Sequence, residues 1–292
     1  MVSRAVNKAY SDIANLKVQG ATNIAITALT SLKSVSNKAE LMQAISLLSK
    51  ARPTEPLMRN GMRYVILNAG HGSEFKKSVA LWANGYIEMC KKAMREITEI
   101  GSKRIVNGSK IMTHCHSTAV TSILKRAKDQ YKDIEVYACE ARPKYQGRIT
   151  AQELADHKIR VNYIIDSAKG TFINNMALVL VGADALTAEG NIVNKIGTSE
   201  LALMAKEADV EFGVAAELLK FDPITSEGRL EPIEERESSE VWERPPKGVK
   251  VRNPAFDVTK CELIDFVITE AGIISPHNIL STAIEKYPWL RR

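Results

Sequence analysis

From about residue 104 onward the chain alternates short apolar runs with helical patterns, and this alternation constrains the fold more than any other feature. The runs SKIMTH, IEVYAC, RVNYIID, ALVLVGA and EFGVAA read as buried strands. STAVTSILKRAKDQ, TAQELADHK, GTFINNM and SELALMAKEADV read as the helices between them. Repeated strand–helix–strand units imply right-handed crossovers and a mostly parallel sheet. Ligands of such sheets bind beyond the carboxyl ends of the strands. THCHS follows the first strand and GADAL the fourth, so both loops should open onto one edge.

Residues before 104 have a different texture. DIANLKVQGATNIAITALTSL spaces its apolar residues at three and four, as a helix does. SNKAELMQAISLLSKA offers Ser36 or Asn37 as a helix cap with Glu40 just inside, and stops before Arg52-Pro53. SEFKKSVALWANGYIEMCKKAMREITEIGSK is a long amphipathic stretch ending near Gly101. The expected class is α/β: a helical N-terminal domain over 1–103 and a Rossmann-like domain with a mostly parallel sheet over 104–292. Residues 222–257, rich in Pro, Glu and Arg, read as an irregular surface excursion, too long for a turn and available to a subunit interface. Ser275 and Pro276 start a short final helix running to about Lys286.

Composition excludes some classes of function. With 40 basic and 34 acidic residues the net charge is +6, a mild excess that fits an anionic small ligand or plain solubility. No basic block is interleaved with aromatics, so no direct nucleic-acid contact is expected. No apolar run approaches about 18 residues, so no membrane span is expected. The start of the chain lacks a signal-peptide core. Cys90, Cys115, Cys139 and Cys261 show no CxxC spacing. Free thiols in the cytoplasm are the expectation.

Four strand-end loops carry residues able to do chemistry. Cys115 lies between a strand and a helix, where the helix N-terminus, aided by His114 and His116 if protonated, would lower its pKa. The alternative is a buried strand-end cysteine. Adjacent His114, Cys115 and His116 cannot all face one metal ion without strain, so no metal is expected. The run LVLVGAD delivers Asp184 to a strand end, as a reactive carboxylate or an ordinary turn cap. In NKIGTSELAL, Asn194 and Lys195 precede a helix whose first N–H groups suit a phosphate, unless Thr198 or Ser199 simply caps it. EARPKYQGRIT places Arg142, Lys144 and Gln146 after the second strand, and Asp166 follows the third. Arg142 suits bidentate phosphate binding, or else the loop is merely solvated. Four such loops on one edge point to an enzyme site for an anionic ligand.

THCHS, EARPKYQG, DSA, GADAL with IVNKIGT, and RNPAFD together resemble the family that joins ribose-1,5-bisphosphate and methylthioribose-1-phosphate isomerases to the regulatory subunits of translation initiation factor 2B. The resemblance spans about residues 12–270. It implies Cys115 and Asp184 as the catalytic pair. Asn194 and Lys195 match ligand-binding positions, Arg142 and Gln146 lie in the matching RP..QG motif, Arg52 lies in ARPT, and Lys220 fits a basic position near substrate. The isomerases carry Arg-Gly-Ala near the N-terminus to hold a phosphate. Here Gln19, Gly20 and Ala21 stand there, which keeps the backbone donors and loses the charge. His116 stands where the ribose-bisphosphate isomerases usually have Asn. The implied activity is conversion of ribose 1,5-bisphosphate to ribulose 1,5-bisphosphate by Cys/Asp acid–base chemistry, with no cofactor, in a dimer or hexamer. The alternatives are a non-catalytic subunit that contacts initiation factor 2, and an isomerase of another C1-phosphorylated pentose such as methylthioribose 1-phosphate.

Overall fold

The computed structural model of the protein describes residues 2–230 and 233–291. The N-terminal part holds α1 (Arg4–Ala14), α2 (Ala21–Leu32), α3 (Lys38–Leu48), α4 (Pro56–Asn68) and α5 (Phe75–Arg104). The apolar spacing over 12–32 looks continuous, yet the chain breaks after Ala14. Leu16 (φ 57°) and Gly20 (φ 83°) turn left-handed, which no helix accommodates. Asn37 caps α3 by accepting from the Glu40 N–H at 2.9 Å, and Glu40 accepts from the Ser36 N–H at 2.9 Å, a reciprocal cap.

Beyond it follow β1 (Lys110–His114), α6 (Thr118–Asp129), β2 (Glu135–Cys139), α7 (Gly147–Asp156), β3 (Arg160–Ile164), the single turn α8 (Lys169–Phe172), β4 (Leu178–Gly182), β5 (Ala185–Leu186), β6 (Ile192–Lys195), α9 (Thr198–Glu207), β7 (Glu211–Ala215), β8 (Phe256–Thr259), β9 (Phe266–Thr269), β10 (Gly272–Ile274) and α10 (Ile279–Lys286). Among the described residues, seven strands form one sheet in the order β10-β9-β7-β4-β1-β2-β3. Its pairings are parallel except β9 with β10. A separate antiparallel sheet, β5-β6-β8, was not anticipated from sequence. Its strands are two to four residues long, too short to show a period.

Alternate residues of the large sheet bury on opposite faces. Met112, Val179, Val181 and Val267 join one apolar core, while Ile111, Leu178, Leu180 and Ile268 join another. Burying both faces explains why these strands read as continuous apolar runs. Each fully buried Val, Leu or Ile contributes about 1.5–3 kcal/mol. The long helix α5 belongs to both cores. Phe75, Val79, Ala83 and Tyr86 pack with α2 and α4, and Ile97 packs with α6 and the sheet. Gly101 makes the second contact close, because a Cβ there would stand 2.5 Å from Ile123.

Residues 222–257 depart from the surface excursion read from sequence. Residues 231 and 232 lie outside the described residues. Much of the rest is irregular, but it folds back so that Arg236, Glu240 and Asn253 line the central cavity. No helix among the described residues is long and apolar enough to cross a membrane.

Candidate functional site

The carboxyl ends of β1, β2 and β4 open into a cavity of about 350 Å³. This size suits a small-molecule ligand. The N-terminal layer closes it from another side with Leu16, Lys17, residues 19–23, Arg52 and Glu55. Six basic side chains line it (Lys17, Arg52, Lys144, Lys195, Lys220, Arg236) against three acidic ones (Glu55, Asp184, Glu240). Arg52, Lys144, Lys220 and Arg236 are engaged with Glu234, Glu240 and Glu217, so Lys17 and Lys195 are the cations best placed to meet an anion. Two helix N-termini also face it. At α6, Ser117 caps the Val120 N–H. At α2, Gly20 supplies no side-chain cap and no acid occupies the first turn, so its leading N–H groups are free of such partners.

Cys115 sits directly after β1 with φ 67°, a left-handed conformation that costs a non-glycine residue energy and is concentrated at functional sites. Its thiol donates to Gln146 Oε1 at 3.4 Å, and Gln146 Nε2 lies 3.5 Å from Gln19 Oε1. Burial pushes the thiol pKa up to about 11, outweighing the lowering by Lys195. Sequence reasoning expected the opposite shift. The histidines do not supply positive charge. His114 Nε2–H donates to the Ile196 carbonyl at 2.8 Å, and burial, with Lys169 behind it, holds its pKa down to about 4. His116 turns to Thr150 Oγ1 at 3.1 Å, and burial lowers its pKa too. Burial thus favours the protonated thiol of Cys115 at neutral pH.

Asp184 stands between β4 and β5, its N–H donated to the Val193 carbonyl at 2.8 Å. It is partly accessible through the cavity, and burial raises its pKa while Lys220 and Lys195 oppose the rise. Lys220 is buried, donates to the Ala183 carbonyl at 2.9 Å and pairs with Glu217 at 3.0 Å. Glu217 also accepts from Thr22 of α2 at 3.2 Å, which ties the helical layer to the floor of the site. Lys195 Nζ lies 5.2 Å from the centre of the Phe256 ring. Asn194 donates to Thr198 Oγ1 at 3.1 Å. Arg52 pairs with Glu234 at 3.0 Å.

The cavity gathers Gln19, Gly20, Ala21, Arg52, Cys115, Gln146, Asp184, Asn194, Lys195 and Lys220. Arg142 is not among its lining residues. Its side chain is exposed, stacked 4.9 Å from the Tyr145 ring centre and bonded to the Val241 carbonyl at 3.3 Å, while Lys144 of the same loop reaches the cavity. Asp166 organises that loop instead of lining the site, accepting from the Ala141 and Arg142 N–H groups at 3.0 and 2.8 Å. The expected phosphate position at the start of α9 is filled by the protein itself. Asp257 accepts from the Gly197 N–H at 2.7 Å and the Ser199 N–H at 3.1 Å. Sequence reasoning missed Glu55 and Arg236, which sit in irregular stretches without periodic signal. Asn253 and Phe256 were within sight, inside RNPAFD.

Glu55 sets an expected pH dependence. Burial, with the charge of Asp184 behind it, pushes its carboxyl from 4.5 up to about 8. Between those values the folded chain holds a proton that the unfolded chain releases, so stability should fall as pH rises through this window and level off above it. Asp257 and Glu270, each raised to about 6, act in the same direction lower down, and His114 acts oppositely below its ordinary value of 6.5. The fall from roughly pH 6.5 to 8 is thus assigned to Glu55, together with Asp184, whose carboxyl burial also raises. In thermal melts, Glu55→Gln should flatten that part of the curve and melt above wild type at the alkaline end. An unchanged slope contradicts the assignment.

The Initiation factor 2 subunit family matches residues 17–276. A ribose 1,5-bisphosphate isomerase of Archaeoglobus fulgidus is 45% identical over 281 residues, 93% of this chain and 90% of the relative. One of Methanocaldococcus jannaschii is 40% identical over 98% of this chain and 97% of its own. Among solved structures, a translation initiation factor eIF-2B of Pyrococcus horikoshii OT3 superposes with a TM-score of 0.84 at 28% identity, covering 94% of this chain and 98% of that one.

Proposed function

Because the chain belongs to the initiation factor 2 subunit family, we propose that it is an aldose–ketose isomerase converting ribose 1,5-bisphosphate to ribulose 1,5-bisphosphate. Relatives named for that activity match it over nearly its whole length. The structural observation that carries the reading is the pairing of a protonated thiol, Cys115, with Asp184 in one enclosed, predominantly basic cavity. A purely regulatory subunit has no use for such a pair.

The C1 phosphate blocks ordinary ring opening, so the enzyme must assist it. Cys115 gives its proton to the ring oxygen as the bond to C1 breaks. Asp184 takes the proton of the C2 hydroxyl as that carbon becomes a carbonyl, and one hydrogen passes from C2 to C1. Return of the proton from Asp184 to the thiolate resets the site. Lys195, Arg52 and the N-termini of α2 and α6 hold phosphates and stabilise developing oxyanions. Gln19 keeps the Gly20–Ala21 backbone donors in play without a charge of its own.

Competition between ribose 1,5-bisphosphate and methylthioribose 1-phosphate tests the substrate. The bisphosphate should win in kcat/KM by at least tenfold, because Lys17, Lys195 and the uncapped N-terminus of α2 offer more than one phosphate needs. Preference for the thio sugar would contradict it. The reading places the chain in the cytoplasm, in keeping with four free, buried cysteines. It includes a homo-oligomer, dimer or hexamer. Exposed Tyr163 on edge strand β3 and Ile165 just after it are available for a subunit contact, and a monomeric mass in solution would contradict that part.

A further inference from the structure

Glu55 is a carboxyl that the isomerisation scheme does not use. It immediately precedes α4, is 1% exposed, and lines the same cavity as Cys115 and Asp184. One oxygen, Oε1, lies 3.8 Å from an Arg52 nitrogen, too far for a hydrogen bond. The other, Oε2, is buried with no hydrogen-bond partner among the described residues. An unpartnered buried carboxyl oxygen is unfavourable, because it has lost its water and gained no donor in exchange. Such a group lining a binding cavity is explained most simply if the ligand completes it.

The chemistry narrows what that ligand atom is. Phosphate is the poorer partner, because Lys17, Lys195 and the N-terminus of α2 already serve it in this cavity and any ionisation of Glu55 would make the contact repulsive. A hydroxyl suits a carboxyl in either protonation state, since it both donates and accepts. The furanose form of ribose 1,5-bisphosphate has free hydroxyls only at C2 and C3. The C2 hydroxyl is consumed by the reaction and assigned to Asp184. Glu55 lines the same cavity as Asp184, close enough for that charge to act on it, which leaves the adjacent C3 hydroxyl as its natural partner.

We propose that Glu55 is a specificity-determining residue whose Oε2 hydrogen-bonds the C3 hydroxyl of the sugar. This rests on the isomerase reading given above. Glu55 then selects sugars that keep the ribo C3 hydroxyl, and its removal weakens binding more than it slows the chemical step.

The test is a cycle in kcat/KM using wild type, Glu55→Leu and Glu55→Ala on ribose 1,5-bisphosphate and on 3-deoxyribose 1,5-bisphosphate. Wild type should disfavour the deoxy sugar by roughly tenfold. Each variant should lose roughly tenfold on the ribose substrate, mainly in KM, and lose almost nothing further on the deoxy sugar. Either variant that folds suffices. The inference is overturned if the variants discriminate between the two sugars as wild type does. It is overturned without any variant if wild type turns over both sugars equally well. Wild type inactive on ribose 1,5-bisphosphate itself overturns the isomerase reading and this inference with it.

Discussion

Asp184→Asn is expected to fold as wild type does and to lose on the order of 10³-fold in kcat on ribose 1,5-bisphosphate, with a much smaller change in KM. Asparagine keeps the volume and cannot take up a proton, and a neutral amide relieves the burial that raises the carboxyl's pKa. Cys115→Ser is expected to lose on the order of 10²-fold, because a hydroxyl is a far weaker acid than a thiol. The two residues serve one turnover, one giving the proton and the other taking one. Their losses should therefore not add, and the double variant should be about as slow as Asp184→Asn alone. Multiplying losses would mean two independent roles. Thermal melts should show both variants within a few degrees of wild type.

Lys220→Met is expected to have the largest effect on stability. Glu217 is fully buried, and its ion pair with Lys220 at 3.0 Å is backed by one hydroxyl, that of Thr22. Removing the lysine strands a buried carboxylate, which costs about 3–5 kcal/mol. The melting temperature should drop by several degrees or more. Adding Glu217→Gln to Lys220→Met should restore most of the loss, because the cost is the uncompensated charge and not the lost side-chain volume. A double variant no more stable than Lys220→Met would show that the lysine acts through its contact with the Ala183 carbonyl instead. Activity should not return in the double variant, since Asp184 still lacks the cation that restrains its pKa.

The parallel sheet was legible because its strands bury both faces, and so stand out as apolar runs between amphipathic helices. The loops at their ends were legible for the same reason: Cys115 and Asp184 each follow an apolar run, those of β1 and β4. What sequence could not show was direction of burial and long-range pairing. The shift of Cys115 depends on how much protein surrounds it, which its neighbours in sequence do not reveal. The capture of the α9 N-terminus by Asp257 joins residues about 60 apart. Arg142 has the right chemistry for a phosphate, but Tyr145 and the Val241 carbonyl hold it outside the cavity. Glu55 and Arg236 lie in irregular stretches, where neither a period of 2 nor one of 3.6 marks an inward side chain.

The most direct measurement is ¹³C NMR of ribose 1,5-bisphosphate labelled at C2, incubated with the purified wild-type chain and with Asp184→Asn. The account predicts that a ketone carbon signal grows with wild type and stays near the no-enzyme background with the variant. No ketone from wild type, or equal ketone from both, would contradict an isomerase built on Cys115 and Asp184.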